Sequence, residues 1–427
     1  MSIAYNVKDI KPEISEKIHK DLEIKLESKF GGTSRFNSNP VRYIYPFQLL
    51  NEVIILPFAY TTSVLKLDRR SVNEFDKMNV IFEKDLRPEQ KVVKKEAIKH
   101  LNITGSVLLS MYCGFGKSAT SMKIACSIGL KTLIIVNKLV LIKQWEEGIK
   151  NFCPSAVIQK LSTKSKFNSE ADFYIINAQN IEKLGNEFFE SIGTVIVDEA
   201  HMIMAETLSR SMQYLYPRYL IGLTATPYRP DGLNVLLDIY FGMNKIIRTL
   251  SREHTVYKID TGFTPEVELT VNNRVNWGAI LDSQAKDEDR NDIILTLIQH
   301  FSDRNILVLV KRISQGNYLV KKLQKEGESV TSLLGNNQEF DKNARILIGT
   351  SNKIGVGFDH PRLDTLLLAA DIEEYFIQYL GRVFRTKDVE PIILDLVDDN
   401  SILEKHWKTR KKVYEKHGGK IKKLELS

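Results

Sequence analysis

The segment MYCGFGKSAT, which begins at Met111, contains residue types that bind phosphate groups. Gly114 and Gly116 allow the backbone to approach a phosphate closely and to turn its N–H groups inward. Lys117 and Ser118 follow at the spacing at which a P-loop places a lysine beside the β- and γ-phosphates and a hydroxyl on Mg²⁺. The strict pattern G-x-x-x-x-G-K-[ST] has a glycine where this chain has Met111. Taken alone, the segment is either a nucleotide-binding loop or a glycine-containing turn that carries a lysine.

A second chemical signature lies in TVIVDEAH (194–201), an apolar run that ends in two acids. Asp198 can hold Mg²⁺ through water, and Glu199 can orient and deprotonate an attacking water molecule. A strand end with two solvated acids is the alternative interpretation. The spelling DEAH, and its position where a further strand of the same sheet is expected, favour phosphoryl-transfer chemistry.

These residues need elements that bring them together. Between about residue 84 and residue 245, short apolar runs alternate with segments of helical length. Continuous apolar runs are typical of strands that are buried on both faces of a parallel sheet. The runs are SVLLSM (106–111), TLIIVN (132–137), FYIIN (173–177), TVIVD (194–198) and YLIGLT (219–224). The glycine-rich loop follows the first run and precedes a helical pattern, so the sequence predicts a doubly wound α/β domain with a P-loop.

The same alternation returns in the C-terminal half of the chain. Its apolar runs are NILVLV (305–310), ARILIGT (344–350), DTLLLAA (364–370) and PIILDLV (391–397). The pattern predicts a second α/β domain, and residues 250–280 between the two are expected to be a linker with extended structure. Residues 1–80 combine a loop-like stretch, GGTSRFNSNP (31–40), with a β-prone stretch (41–65), which predicts a small, partly β domain.

Taken in chain order, the motifs over about residues 84–400 resemble those of superfamily 2 helicases of the DExH type. The matching segments are LRPEQ (86–90), CGFGKS (113–118), NKLVLIKQW (137–145), DEAH (198–201), LTATP (223–227), GTSNKIGVGFDHP (349–361) and QYLGRVFR (378–385). The resemblance implies an α/β fold of two tandem RecA-like P-loop domains with parallel sheets, behind a small, partly β N-terminal domain. The expected domains are 1–83, 84–250 and 251–427.

The resemblance also implies ATP and Mg²⁺ as cofactors and gives roles to individual residues. Catalytic roles fall to Lys117, Asp198, Glu199, His201, Arg382 and Arg385. Nucleotide binding falls to Arg87, Gln90, Gly114, Gly116, Lys117, Ser118, Gly357, Asp359 and Gln378, with Gln90 as the adenine reader. Ser118 and Asp198 are the expected Mg²⁺ residues, mostly through water. Thr224 and Thr226 are expected to couple hydrolysis to strand movement through His201.

The resemblance to superfamily 2 helicases implies a catalytic role for two arginines of QYLGRVFR. Arg382 and Arg385 lie three residues apart in a predicted helix, so their side chains are expected to point the same way. In the family they reach the γ-phosphate as arginine fingers, which contribute about 10³ to 10⁵ in rate. For an isolated pair, an exposed basic helix face would be the alternative. Tyr379 stands where many relatives have a further arginine.

Contacts with nucleic acid are expected from the net charge of +7 and from the C-terminal stretch EKHWKTRKKVYEKHGGKIKK (404–423), which has nine Lys or Arg and two Glu. Leu403, Trp407 and Tyr414 recur near helical spacing, which predicts a docked helix with a basic outer face and a stop at Gly418. A docked helix with ordinary solvated lysines is the alternative. The candidate contacts are Gln144, Trp145, Lys408, Arg410, Lys411 and Lys412.

PFAYTTSVL (57–65) and SILEKHWKTRKKVYEKHGGKIK (401–422) resemble the poxvirus-type transcript-release helicases of large DNA viruses. The resemblance implies an ATP-dependent helicase that moves 3′→5′ on single-stranded or duplex DNA or on DNA–RNA hybrids, with RNA polymerase or transcription factors as protein partners. A phage-type annealing and branch-migration helicase, an RNA helicase and a duplex DNA translocase that does not unwind are the alternatives.

The composition argues against membrane, secreted, disulfide-rich and zinc-binding proteins. No apolar run reaches the roughly 18 residues of a membrane span, and the N-terminus lacks the apolar stretch of a secretory signal. Three cysteines at no metal-ligand spacing imply neither a disulfide framework nor a zinc site. We therefore expect a soluble intracellular protein without a membrane partner.

Overall fold

The computed structural model describes residues 2–26, 42–204, 210–226, 233–271, 273, 275–337, 339–355, 360, 362–372, 376–386 and 388–424. The chain divides into two compact units, Met1–Arg248 and Thr249–Ser427. The predicted loop GGTSRFNSNP (31–40) lies outside the described residues. The domain boundaries 1–83, 84–250 and 251–427 stay predictions.

The first unit begins with a small antiparallel β structure. Its elements are β1 Ser2–Asn6, α1 Pro12–Asp21, β2 Ile24–Leu26, β3 Arg42–Ile44, β4 Gln48–Leu50 and β5 Val53–Pro57. Three strands form a sheet in the order β1-β5-β4, and β2 pairs with β3. Ile18 and Leu22 pack against Leu56 and Tyr60 in a small apolar core of their own. This structure confirms the predicted small, partly β N-terminal part.

The rest of the first unit is a seven-stranded parallel sheet with helices between its strands. The elements are α2 Pro88–Thr104, β6 Ser106–Met111, α3 Lys117–Ile128, β7 Thr132–Val136, α4 Leu139–Phe152, β8 Ile158–Leu161, β9 Phe173–Asn177, α5 Ile181–Leu184, β10 Thr194–Val197, α6 Ala200–Ile203, β11 Tyr219–Thr224, α7 Asn234–Phe241 and β12 Lys245–Arg248. The strand order is β12-β6-β11-β10-β7-β9-β8.

The five predicted strands of this sheet are confirmed as β6, β7, β9, β10 and β11. Every residue of β6, β7, β9 and β10 is buried, which explains their continuous apolar runs. The sequence did not predict β8 and β12, which are the two outer strands of the sheet. Their sequences, IQKL and KIIR, are only partly buried. An outer strand needs no continuous apolar run, so its sequence carries a weaker signal.

The second unit contains another seven-stranded parallel sheet. Its elements are β13 His254–Asp260, α8 Trp277–Lys286, α9 Glu288–His300, β14 Ile306–Val310, α10 Ile313–Lys325, β15 Val330–Leu333, β16 Ile346–Thr350, α11 Ser351–Gly355, β17 Thr365–Leu368, α12 Phe376–Val383, β18 Ile392–Val397, α13 Ser401–Lys416 and β19 Gly419–Lys422. The strand order is β15-β16-β14-β17-β18-β13-β19. The two sheets with their helices confirm the predicted tandem RecA-like fold.

The predicted linker over 250–280 is partly wrong. Residues 254–260 form β13, which pairs with β18 on one side and with β19 on the other. The sequence HTVYKID mixes polar and apolar residues, and Tyr257 and Lys258 are only partly buried, so the strand lacks the apolar run that marks its neighbours. The predicted helix stop is correct: α13 ends at Lys416, and Gly418 follows with a φ of 92°. Among the described helices, none is long and apolar enough to cross a membrane.

Candidate active site

Three neighbouring strands bring the chemical residues of the first unit to one edge. In the order β6-β11-β10, these strands are parallel, so their carboxyl ends meet on the same side of the sheet. The glycine-rich loop follows β6, the DEAH residues follow β10, and Thr226 follows β11. Ligands of open α/β sheets bind outside the carboxyl ends of the strands. The predicted P-loop, acids and threonines therefore share one candidate site.

The loop has the backbone of a phosphate cradle. Gly114 and Gly116 have φ angles of 88° and 87°, which favour glycine because a side chain would be strained there. A Cβ atom on Gly116 would also lie 2.4 Å from Nε2 of Gln90. Helix α3 begins directly at Lys117, whose Nζ donates to the carbonyl oxygen of Met111 at 3.1 Å. The N–H groups at the start of α3 and the side chain of Lys117 therefore lie at the end of the same loop, as an anion site requires.

The missing outer glycine has a structural explanation. Met111 is the last residue of β6, and its side chain is fully buried in the core. This position therefore belongs to the strand and leaves the cradle to Gly114 and Gly116.

The residues of LRPEQ contact the loop from the start of α2. Gln90 is buried, its Nε2 donates to the carbonyl oxygen of Phe115 at 2.9 Å, and its Oε1 accepts from the backbone N–H of Arg87 at 2.8 Å. The guanidinium of Arg87 donates to the carbonyl oxygens of Gly114 and Phe115. Both side chains thus hold the loop backbone, while adenine reading by Gln90 stays a prediction.

Asp198 is a buried carboxylate without a cationic partner. Its side chain accepts from Nε1 of Trp145 at 2.8 Å and from the backbone N–H of Glu199 at 2.9 Å. Within the described part of the chain it forms no ion pair. Burial raises the pKa of Asp198 to about 6, and the neighbouring charge of Glu199 adds to the rise, whereas the Trp145 hydrogen bond and the charge of Lys117 oppose it. A buried carboxylate of this kind fits a cation that arrives with the substrate.

Glu199 has an unusual backbone for a residue other than glycine. Its φ and ψ of 47° and 51° lie in the left-handed region, which costs on the order of 1–3 kcal/mol and is common at functional sites. Its Oε2 is buried, has no hydrogen-bond partner among the described residues, and lies 3.5 Å from Nδ1 of His201. This carboxylate oxygen is therefore suited to accept a proton from a bound water molecule.

A chain of hydrogen bonds leads from His201, which lies beside Glu199, to the end of β11. The hydroxyl of Thr224 lies 2.9 Å from Nδ1 of His201 and donates to the carbonyl oxygen of Thr226 at 2.7 Å. Since this bond uses the only hydroxyl hydrogen of Thr224, Nδ1 of His201 must be the donor to Thr224. The backbone N–H of Thr226 also donates to the Thr224 hydroxyl at 3.0 Å. The relay assigned to these three residues is thus a connected network in the fold.

One of the predicted nucleic-acid contacts near this edge is wrong. Trp145 is buried in α4, and its indole N–H is used by Asp198, so it positions an acid of the site and is inaccessible to a strand. Its neighbour Gln144 is exposed, and its contact with nucleic acid stays a prediction.

The arginines of QYLGRVFR do not share a helix, contrary to the prediction. Helix α12 ends at Val383, because the chain then turns to bury Phe384 against the ring of His254 at 4.8 Å between centroids. Arg382 is buried in the helix, and its Nη2 donates to the carbonyl oxygen of Gly355 at 3.1 Å. Arg385 lies beyond the helix and is partly buried.

The neighbouring residues of α12 are buried as well. Gln378 lies in the core, and the hydroxyl of Tyr379 donates to the carbonyl oxygen of Ser351 at 3.0 Å, so the tyrosine at the variable position ties α12 to α11. Gly357 and Asp359 lie outside the described residues.

The predicted contact at Arg410 is also wrong. Its guanidinium is buried and donates to both carboxylate oxygens of Asp395 at 2.8 Å and to Asp371 at 2.6 Å. It therefore stabilises the interior of the second unit. Lys408, Lys411 and Lys412 are exposed, as predicted, and Lys411 lies 3.7 Å from Glu415. Helical spacing does separate Arg410 from the lysines, because Arg410 lies three residues after Trp407 and four before Tyr414, on the buried face of α13.

Comparison with known proteins agrees with this geometry. A family model described as "Type III restriction enzyme, res subunit" matches residues 83–229. "Putative helicase 161L" of Invertebrate iridescent virus 6 is 43% identical over 453 residues that cover 100% of both chains. "Putative ATP-dependent RNA helicase L396" of Acanthamoeba polyphaga mimivirus is 26% identical over 394 residues, which cover 84% of this chain and 73% of that protein.

A solved structure shows the same fold. S. cerevisiae Dbp5 bound to RNA and ADP BeF3 aligns with a TM-score of 0.55 and 15% identity over 78% of this chain and 98% of the other. At this identity the likeness extends to the fold alone. The relative that is 43% identical over the whole chain shows the family. The chain belongs to the superfamily 2 helicases of large DNA viruses, which hydrolyse ATP.

Proposed function

We propose that this helicase moves 3′→5′ along DNA, separates duplexes or DNA–RNA hybrids, and releases transcripts during viral transcription. We assign nucleotide binding to residues 84–250, the arginine fingers to residues 251–427 and an accessory role to residues 1–83. The observation that carries the motor assignment is the network in which Oε2 of Glu199 lies 3.5 Å from Nδ1 of His201, and hydrogen bonds lead on from His201 through Thr224 to Thr226.

The hydrolytic step uses groups at the carboxyl edge of the first sheet. Lys117 and the N–H groups at the start of α3 bind the terminal phosphates of ATP. Ser118 and Asp198 would hold the Mg²⁺ that accompanies ATP, mostly through water, and the ion would neutralise charge on the phosphate oxygens. Glu199 orients the attacking water molecule and takes its proton.

The network around His201 transmits the state of this site. When a water molecule binds to Glu199 and reacts, the side chain of His201 responds, because its Nδ1 lies 3.5 Å from Oε2 of Glu199. His201 in turn contacts Thr224, so the displacement reaches the segment after β11. In this way hydrolysis biases the conformation of a segment that lies outside the nucleotide site.

We assign Arg382 and Arg385 as the arginine fingers of this reaction. A guanidinium is always charged and presents several donors in one plane, which suits the oxygens of a transferred phosphoryl group. Gln378, Gly357 and Asp359 are assigned to the same nucleotide-dependent step.

The preference for DNA and the role in transcription rest on the resemblance of residues 57–65 and 401–422 to transcript-release helicases. Exposed Lys408, Lys411 and Lys412 add positive charge for a phosphate backbone. RNA polymerase or a transcription factor is the protein partner that this role requires.

An RNA helicase is the second candidate. It is favoured by the mimivirus relative, which is named as an ATP-dependent RNA helicase. ATPase stimulation by RNA instead of DNA would select this candidate.

The deciding experiment is ATP hydrolysis by the purified protein without nucleic acid and with single-stranded DNA, duplex DNA or single-stranded RNA, each at two salt concentrations. Glu199→Gln serves as the blank. We expect stimulation by DNA that weakens as salt rises. Stimulation by RNA alone would contradict the DNA assignment, and stimulation without strand separation would favour a duplex translocase.

A further inference from the structure

One of the three tryptophans differs from the others in exposure. Trp145 and Trp407 are 3% and 4% exposed, whereas Trp277 is 38% exposed. Trp277 is the first residue of α8, and its ring is stacked on the imidazole of His406, with 5.3 Å between centroids and 23° between planes. One side of the indole is therefore supported by a second ring, and a large part of it faces solvent.

The support under Trp277 is held by a chain of short polar contacts. Nδ1 of His406 lies 2.6 Å from Oδ2 of Asp371, whose Oδ1 accepts from Arg410 at 2.6 Å. Arg410 is in turn held by the fully buried Asp395 of β18. Burial opposes ionisation of Asp371, but the hydrogen bond from His406 and the charge of Arg410 lower its pKa. An indole on such a base loses little freedom when it binds a ligand.

The stacked pair lies at the carboxyl edge of the second sheet. Asp371, which holds His406, comes three residues after the end of β17. Arg312, two residues after the end of β14, donates to the carbonyl oxygen of Gly278 at 3.0 Å and to Asp282 at 2.7 Å. The start of α8 is therefore fixed over the ends of two strands. This edge is where open α/β sheets bind their ligands.

The charges around Trp277 are unequal. Lys405 directly precedes His406 on α13, Lys408 follows on the same helix, and both are exposed without an ion pair within the described part of the chain. Asn276 and Gly278, which flank Trp277, line a cavity of about 640 Å³ that also contains Glu266 and Glu268. A phosphate backbone is attracted by the lysines and repelled by the acids, so a bound strand would run on the side of α13.

We propose that Trp277 is a stacking platform for a base of single-stranded nucleic acid, with Lys405 holding an adjacent phosphate. A basic surface beside an exposed aromatic ring is the combination that binds single strands without reading their sequence. The proposal rests on the proposed function, because only a nucleic-acid motor needs such a platform. It adds a residue that no helicase motif of this chain contains.

The test uses the tryptophan as its own probe. An oligothymidylate of about 20 nucleotides is titrated into the full-length protein, with tryptophan emission and the anisotropy of a labelled copy as readouts. Stacking of a thymine quenches Trp277, and Trp277→Phe removes that quenching but keeps a ring. Loss of one stacked base corresponds to roughly 5- to 100-fold in affinity, which is expected for Trp277→Ala.

Phe167 offers a matched control in the first unit. It is 37% exposed and stacked on Tyr174 with 5.3 Å between centroids and 12° between planes, but Tyr174 lies near the amino end of β9. Phe167→Ala is expected to bind and to be quenched like the wild type. Thermal unfolding of each variant shows whether it is folded.

Three outcomes are informative. Loss of quenching in Trp277→Phe together with weaker binding by Trp277→Ala supports the platform. Oligonucleotide binding by the wild type with the same quenching in Trp277→Phe would overturn the platform and leave the helicase function standing. Absence of wild-type binding to DNA and to RNA oligonucleotides would overturn both the platform and the proposed function.

Discussion

The carboxyl edges of the two sheets use buried charge in different ways. In the first unit, Asp198 is buried, and its partners among the described residues are hydrogen bonds from Trp145 and from its own neighbour in the chain. In the second unit, Asp395 pairs with Arg410, and Asp398 pairs with Arg290 at 2.7 Å. All three carboxylates follow or belong to central strands of similar sheets. Among the described residues, the first sheet thus has a buried acid, Asp198, without a cationic partner, whereas Asp395 and Asp398 of the second unit each pair with an arginine.

The pKa directions express this difference. Burial raises the pKa of Asp198 to about 6, whereas the contacts of Asp371 with His406 and Arg410 overcome burial and lower its pKa. A buried charge is costly unless it is paired. The first unit keeps an acid that fits a cation arriving with the substrate, and the second unit uses its acids and arginines to hold strands and helices together. Arg382 is also buried and donates to the carbonyl oxygen of Gly355, but we propose a chemical role for it.

Arg382→Ala should lower kcat for ATP hydrolysis by about 10³ to 10⁵, because a chemical role for this arginine is worth that much in phosphoryl transfer. The measurement is steady-state hydrolysis with saturating DNA. Arg345→Ala is the control, since Arg345 pairs with Glu328 in the same unit and has no assigned role in catalysis. If kcat falls less than tenfold in a folded Arg382→Ala protein, Arg382 is structural, as Arg410 is.

Glu199→Gln should lower kcat by about 10² to 10⁴, because the amide cannot take a proton from water. ATP binding should persist, since the phosphates are bound by Lys117 and the start of α3. Equilibrium binding of a fluorescent ATP analogue checks the second expectation. Glu170→Gln, on an exposed residue of the same unit, should leave both quantities unchanged. Wild-type turnover by Glu199→Gln would move the base to another residue.

Arg410→Ala should destabilise the second unit by about 3–5 kcal/mol, because it leaves Asp395 buried without a cation. Urea unfolding followed by circular dichroism measures the change. Lys408→Ala lies on the same helix, is exposed, and should leave the free energy of unfolding almost unchanged. A stable Arg410→Ala protein that binds DNA weakly would restore the original assignment of this arginine to nucleic acid.

Trp145→Phe should cost about 1.5–3 kcal/mol of stability, because it removes a hydrogen bond to the charged Asp198 while a ring still fills the space. Affinity for an oligonucleotide should not change, since the side chain is buried. Parallel unfolding and anisotropy titrations separate the two effects. If Trp145→Phe binds the oligonucleotide more weakly without losing stability, Trp145 contacts nucleic acid and does not position Asp198.

Lys408→Ala should have the smallest effect. Removing one phosphate contact should lower the slope of log affinity against log salt by about 1 and weaken binding uniformly across sequences. Anisotropy titrations at four salt concentrations measure the slope. Lys420→Ala, which removes a lysine paired with Glu253, is the control and should keep the wild-type slope. An unchanged slope for Lys408→Ala would leave this lysine as an ordinary solvated residue.

The sequence by itself determined the central strands and the identity of the chemical residues. A strand such as β10 that is buried on both faces needs an apolar side chain at every position, so the run TVIV is visible without a structure. The phosphate loop is equally local, because its glycines, Lys117 and Ser118 are consecutive or nearly so. The strands β8, β12, β13, β15 and β19 were missed because polar residues occupy part of each.

The tertiary structure decided which partner each side chain has. Trp145 and Asp198 are 53 residues apart in the chain and meet only because α4 packs over neighbouring parallel strands. Arg410 has the charge of a surface residue but shares the buried face of α13 with Trp407 and Tyr414, and the strands β17 and β18 bring Asp371 and Asp395 to it. Arg385 leaves the predicted helix because Phe384 is buried next to His254. Such contacts join segments that are distant in sequence, and local spacing carries no information about them.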